Sequence, residues 1–227
     1  MIVTIHQPDF LPWLGFFDRW AKSDLYIVLD DVQFLRRGWH HRDKIKTQGG
    51  VKWLTVPVLK KSRYYQTIKE VKINTGENWR YKHLKTIQTS YGKTPNFDLV
   101  YGRLSEIYNR EHSLLIRLNM DLLGFCSSML EIKTPVVFAS AFNVKSTGSQ
   151  RLVDLVQSVG GDNYLAGSGS RDYLEVELFK KAEIEVRWQE FEHPIYPQLH
   201  GDFEYMLSVI DFFLTSSEED IQDIFTK

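Results

Sequence analysis

Hydrophobic positions change their period several times along the chain, and each change marks an expected element. Ile2-Val3-Thr4-Ile5 is an apolar, β-branched run that reads as a short buried strand, with the polar pair His6-Gln7 at its end and Pro8 stopping it. After a proline-containing turn, Leu14, Phe17, Trp20 and Ala21 recur at helical spacing as far as Ser23. Leu25 to Leu29 is a second apolar strand, terminating on Asp30 and Asp31. Strand, turn, helix and strand make a βαβ unit, which implies a parallel sheet with a right-handed crossover.

Further on, Lys52 to Leu59 (KWLTVPVL) reads as a strand, with Pro57 marking an edge or an end. Ile68 to Ile73 alternates as IKEVKI, the pattern of a half-exposed strand. Asn74-Thr75-Gly76-Glu77 caps a helix from about Asn78 to Tyr91, on which Trp79, His83 and Ile87 share a face and His83 reads as a core-edge histidine. Helical patterns follow at Phe97 to Tyr108 and Ser113 to Cys126, so residues 77–126 form an expected helical segment. Val136 to Ala139 is a strand, Gln150 to Val159 a helix ended by Gly160-Gly161, and Asn163 to Ala166 another strand. Gly167-Ser168-Gly169-Ser170 opens an expected helix from Arg171 to Ala182, Ile184 to Trp188 is a strand, and Phe203 to Leu214 and Glu218 to Phe225 are amphipathic helices. Strands alternating with helices give the expected class: an α/β, Rossmann-like three-layer sandwich with a mainly parallel sheet and a helical insertion, in one domain spanning residues 1–227.

Composition narrows the functional classes. With 227 residues, 43% hydrophobic and 25% charged, the chain reads as globular, and its net charge of -1 lacks the basic excess of a typical nucleic-acid binder. It contains neither an apolar run of about 18 residues nor a basic-then-apolar leader, so no membrane span and a cytoplasmic location are expected. The one cysteine, Cys126, excludes an internal disulfide and a Cys-cluster zinc site, and its helical context reads as a small buried hydrophobe.

Candidate chemistry gathers at strand ends, because open α/β sheets bind ligands outside the carboxyl ends of their strands. His6, Gln7, Asp30, Asp31 and Gln33 lie there; capping and simple solvation are the alternatives. The stretch from Arg36 to Lys44 carries Arg36, Arg37 and Arg42, whose guanidinium forks suit phosphate or carboxylate, against an ordinary surface hairpin or loop. His40 and His41 are adjacent and so make a poor metal pair. Gly167, Ser168 and Ser170 can expose backbone N–H groups to an anion, though Ser and Gly are equally routine caps. The loop after Trp188 brings Glu190, Glu192, His193, Tyr196 and Gln198 together, the mix of acid–base chemistry or sugar hydrogen bonding. His6, Asp30, Asp31 and His193 are the candidate catalytic groups; no spacing demands a metal, none is assigned, and the cofactor is left unknown.

Several motifs also carry a resemblance. His6-Gln7-Pro8, Leu11-Pro12-Trp13 with Gly15, Asp30-Asp31-Val32-Gln33-Phe34, Trp39 with Arg42, and Leu54-Thr55-Val56-Pro57 resemble the WbqC-like family. Tyr164 to Gly167, Asp172-Tyr173-Leu174, Phe191-Glu192-His193, Tyr196-Pro197-Gln198 and Leu207 to Asp211 extend the likeness over essentially the whole chain. One departure is His41, where the family more often has Asn before the Arg. The resemblance implies a bacterial protein of the kind encoded among O-antigen and other surface-polysaccharide biosynthesis genes, without supplying a mechanism. A more distant likeness, to nucleotidylyltransferases and the cysteine-adding ligase of bacillithiol synthesis, is weakened because Leu14-Gly15-Phe16 brings no second histidine to the first turn.

The expectation is therefore an enzyme, a transferase or ligase moving an acyl, aminoacyl or similar group to or from a nucleotide-linked sugar. His6 would be the acid–base, Asp30 or Asp31 would orient it or hold a cation, and His193 with Tyr196 would complete the site from the C-terminal half. Gln7, Trp13, Gln33, Arg36, Arg37, Arg42, Gly167, Ser168 and Ser170 would bind substrate. The alternative is a non-catalytic sugar-nucleotide or glycan-binding accessory protein, served equally by the tryptophans and the basic loop. The expected partner is a small molecule and no nucleic acid; whether the chain forms a homodimer is open.

Overall fold

A computed structural model describes residues 1–225. In chain order the elements are β1 (Ile2–His6), α1 (Leu14–Ala21), β2 (Leu25–Val28), β3 (Arg42–Thr47), β4 (Gly50–Thr55), α2 (Trp79–Tyr91), α3 (Phe97–Asn109) and α4 (Leu115–Met129). They continue with β5 (Val136–Phe138), α5 (Gly148–Ser158), β6 (Asn163–Ala166), α6 (Val176–Lys181), β7 (Glu185–Trp188), α7 (Val209–Thr215) and α8 (Glu218–Asp223). They fall into two compact units, neither continuous in sequence.

The first unit holds residues 1–7, 15–31 and 132–192. Its core is a five-stranded sheet in the order β5-β2-β1-β6-β7, every neighbouring pair parallel. Alternation sorts the side chains. Val3, Ile5 and Ile27 join Val153, Leu155 and Val156 of α5 and Phe179 of α6 in one core cluster. Tyr26, of opposite parity to Ile27, packs on α1 through Phe16 (ring centroids 5.8 Å apart) and Trp20 (4.9 Å). Helices thus cover both faces, the Rossmann-like three-layer sandwich that the alternation of strands and helices implied.

The second unit holds residues 8–14, 32–131 and 193–225 of the described chain. It contains the antiparallel β3–β4 hairpin and the helices α2, α3 and α4, which realise the expected helical segment. His83 is buried beneath Trp79 and Tyr108, accepting from Tyr108 Oη (3.3 Å) and donating Nε2–H to Thr55 O (3.1 Å), and burial lowers its pKa to about 4. Cys126 is fully buried, as expected, and burial pushes its thiol up. In α7 every residue is buried.

Several local expectations are corrected. Residues 68–73 are not a strand: Glu70 accepts from Thr67 N (2.8 Å) and Oγ1 (2.7 Å), closing a 3₁₀ turn over Ile68–Glu70. The helix expected from Arg171 begins only at Val176, because Ser168–Ser170 close a 3₁₀ turn and Ser149 Oγ takes the N–H of Glu175 (3.0 Å). No helix starts at Phe203; left-handed φ at His200 (65°), Gly201 (92°) and Met206 (56°) bends the chain, and α7 starts at Val209. The strand expected at 52–59 ends at Thr55, two residues before Pro57.

Candidate functional site

Strand order places the first unit's opening. The chain runs outward from β1 to β2 and β5, then returns to the other side of β1 for β6 and β7, so the order reverses between β1 and β6. At such a switch point the two flanking loops part in opposite directions and leave a crevice beyond the strand ends. The β1 end carries His6 and Gln7, and the β6 end carries Gly167 and Ser168.

Both His6 and Gln7 are half-buried. The His6 ring stands edge-on to Phe16 of α1 (5.1 Å) with Nδ1 2.9 Å from Gln7 O, while its carbonyl accepts from Leu29 N (2.8 Å) and Tyr26 Oη (3.2 Å). Its backbone is thereby pinned at the strand end and its ring wedged against α1. Gly167 stands at the end of the neighbouring strand. A Cβ added there would lie 2.7 Å from Arg19 Nη1, so the bare glycine is what lets the Arg19 guanidinium lie against the β6 loop. Ser170 folds back, its Oγ and N both donating to Gly167 O (2.7 and 3.0 Å), whereas Ser168 is exposed.

The twin acids at the β2 end serve other groups. Asp30 is buried and accepts from Ser140 N (2.9 Å) and Oγ (2.6 Å), capping the 3₁₀ turn after β5. Asp31 takes both oxygens to Arg151 Nη2 (2.7 Å each), and Arg151 Nη1 donates to Val144 O (2.9 Å) and Ser146 O (3.3 Å). These are charge-assisted contacts that tie β2 to the segments following β5. Asp18 and Gln189 do the same for α1 and β7: Gln189 Nε2 donates to Asp18 Oδ2 and to Gly15 O, both at 2.7 Å.

The remaining candidates belong to the second unit, in two groups. Trp13 stacks on His193 (6.1 Å, 4° between planes), and Tyr196, Phe203 and Tyr205 complete the cluster. His193 Nδ1–H donates to Pro194 O (2.9 Å) while Nε2 accepts from Met206 N (3.4 Å), and burial lowers its pKa. Tyr196 Oη donates to Asp211 Oδ2 (3.0 Å), as Tyr91 does to Oδ1 (2.5 Å); Asp211 is fully buried and its carboxyl is pushed up by that burial. The other group surrounds the basic loop. Gln33 Nε2 donates to Tyr64 O (3.2 Å), Arg36 Nη2 to Lys60 O (2.9 Å) and Arg42 Nη2 to Arg37 O (2.8 Å), while Arg37 is exposed.

Two features were not foreseen. Arg19 sits in the last turn of α1 with no motif around it, and only the strand order shows that its helix flanks the switch point. Asp9 and His40 form a buried pair (2.8 Å) whose flanking carbonyls, Pro8 O and His40 O, are both held by Asn119 Nδ2 (2.7 Å each). Beside it His41 is lowered to about 4, chiefly by burial, and burial pushes Asp43 well above the ordinary carboxylate range. Among the described residues no three His, Cys, Asp or Glu side chains are placed to share a metal ion, and no helix is long and apolar enough to cross a membrane.

Comparison with known proteins places the chain in a family. No solved structure gives a significant match. Among curated proteins, the chain is 33% identical over 219 residues to Rv1507c of Mycobacterium tuberculosis, itself described only as uncharacterized, covering 96% of this chain and 94% of that one. The model of the WbqC-like protein family matches residues 7–223. The chain is a member of the WbqC-like protein family.

Proposed function

We propose that the crevice at the β1/β6 switch point binds the phosphate-bearing end of a nucleotide-linked sugar, and that the chain acts on it as a cytoplasmic transferase or ligase. The observation that carries this reading is the meeting of a parallel-sheet switch point with Arg19 against Gly167 and with His6 and Gln7 at the end of the neighbouring strand. A guanidinium and a 3₁₀ turn at a strand end favour an anion there. Family membership supports a place in polysaccharide-related metabolism. His6 is the acid–base in this reading, and Asp30 and Asp31 act by positioning, since Ser140 and Arg151 occupy their oxygens. Trp13, His193 and Tyr196 belong to the other unit.

That occupation of both acids also favours a second reading, a non-catalytic sugar-nucleotide binder, because it gives Asp30 and Asp31 structural work in holding the segments that follow β5. One experiment separates the two. Thermal shift with nucleoside diphosphates and nucleotide sugars should show saturable stabilisation that Arg19→Gln weakens about tenfold, the loss of one charge-assisted contact. His6→Ala should keep that stabilisation and abolish conversion of the donor. Conversion undiminished in His6→Ala rules out the assigned acid–base. Stabilisation with no consumption of any donor establishes the binder, and stabilisation unaffected by Arg19→Gln removes the crevice itself.

A further inference from the structure

Charge is strongly segregated in this nearly neutral chain. Residues 32–69 contain ten of the 28 Lys and Arg but one of the 29 Asp and Glu, Asp43, which is buried. Burial holds the Asp43 carboxyl toward its neutral form, so the surface of this segment has almost nothing to offset its cations. Exposed aromatic rings are interleaved with them. Trp39 and Trp53 are 45% and 41% exposed, with ring centroids 5.3 Å apart and planes tilted by 39°. The Arg42 guanidinium lies over Trp53 (4.4 Å), and Lys44 Nζ approaches both indoles (5.7 and 6.0 Å). Arg36 lies over Tyr64, which is 60% exposed. In the β3–β4 register Lys44 pairs with Trp53 and Arg42 with Thr55, so Arg42, Lys44 and Trp53 share one face of the hairpin.

Two large apolar rings left in water beside uncompensated cations are an unfavourable arrangement for a free surface and a good one for an anion that carries an apolar face. We propose that this hairpin face binds an acidic glycan, with sugar C–H faces against Trp39 and Trp53 and the glycan's carboxylates or phosphates on Arg42 and Lys44. The tilt argues for a sugar over a nucleobase. Successive bases need flat, open rings, and here Arg42 and Arg36 already cover faces of Trp53 and Tyr64, whereas a pyranose uses part of a face and an arginine stacked on a ring keeps its in-plane N–H groups for an oxyanion. The surface lies wholly in the second unit and does not depend on the crevice reading.

Titration of the full chain with a polyuronate oligomer, followed by tryptophan fluorescence and calorimetry, tests it. Saturable binding is expected, with none to neutral dextran. Trp39→Ala and Lys44→Gln should each weaken it about tenfold without a change in Tm, whereas Lys180→Gln should bind as the wild type does. Trp39 lies outside both strands, so its removal spares the hairpin. Absence of saturable binding, an equal loss in Lys180→Gln, or no loss in both surface variants overturns the proposal. Tighter binding of an oligothymidylate of matched charge also overturns it, transferring the surface to single-stranded nucleic acid.

Discussion

A methyl group added at Gly161 would meet Val3 Cγ2 at 2.6 Å and Val156 Cγ1 at 2.8 Å, both inside the first unit's core. Neither neighbour is the end of a flexible chain, so Gly161→Ala should lower the unfolding free energy by about 1–3 kcal/mol, read from chemical denaturation. Gly167 makes the contrast. The atom its methyl would strike is the mobile end of Arg19, so a variant there should shift Arg19 with little loss of stability. Titration is also a residue-scale property. The His83 pKa is depressed in the fold, so the unfolded chain takes up a proton first as pH falls. Its stabilising contribution is complete above about 6.5, and on the order of 3 kcal/mol is lost as pH drops toward 4. His83→Gln should flatten the dependence of Tm on pH across that window; an unchanged slope would assign it elsewhere.

Elements show which parts of the sequence speak for themselves. Apolar, β-branched runs announced β1, β2 and β5, because a strand of the central sheet has little choice of composition, whereas β6 (NYLA) and the partly exposed β7 (EVRW) are less uniformly apolar. The β3 strand, Arg42–Thr47, was hidden: RDKIKT is mostly charged, and it is a strand because Asp43 and Ile45 turn inward while Arg42 and Lys44 line the outer face. Placement of His6, Gln7, Asp30 and Asp31 at the ends of adjacent parallel strands was legible for the same reason, since a strand's end is visible where its apolar run stops. Their partners were not. Ser140 and Arg151 lie more than 100 residues away, and nothing local marks them as the groups that meet Asp30 and Asp31. That pairing has a cost if broken. Arg151→Ala would leave the largely buried Asp31 carboxylate without its cation and should destabilise the chain by about 3 kcal/mol, with the loss seen in denaturant unfolding and largely absent when Asp31→Asn is made in the same chain.

On the scale of the whole molecule, connectivity is the dominant feature. β2 and β5 are sheet neighbours, yet the 100 residues from 32 to 131 lie between their segments in the other unit, and β1 waits for β6, which comes in the last third of the chain. Closing such contacts costs chain entropy before any pairing returns it, which slows folding. Because each unit is assembled from three separate stretches, no single cut frees either one intact. A nascent chain halted anywhere before Asn163 lacks half the neighbours of its own first strand, so Ile2–His6 spends most of its synthesis with one hydrophobic edge unpaired.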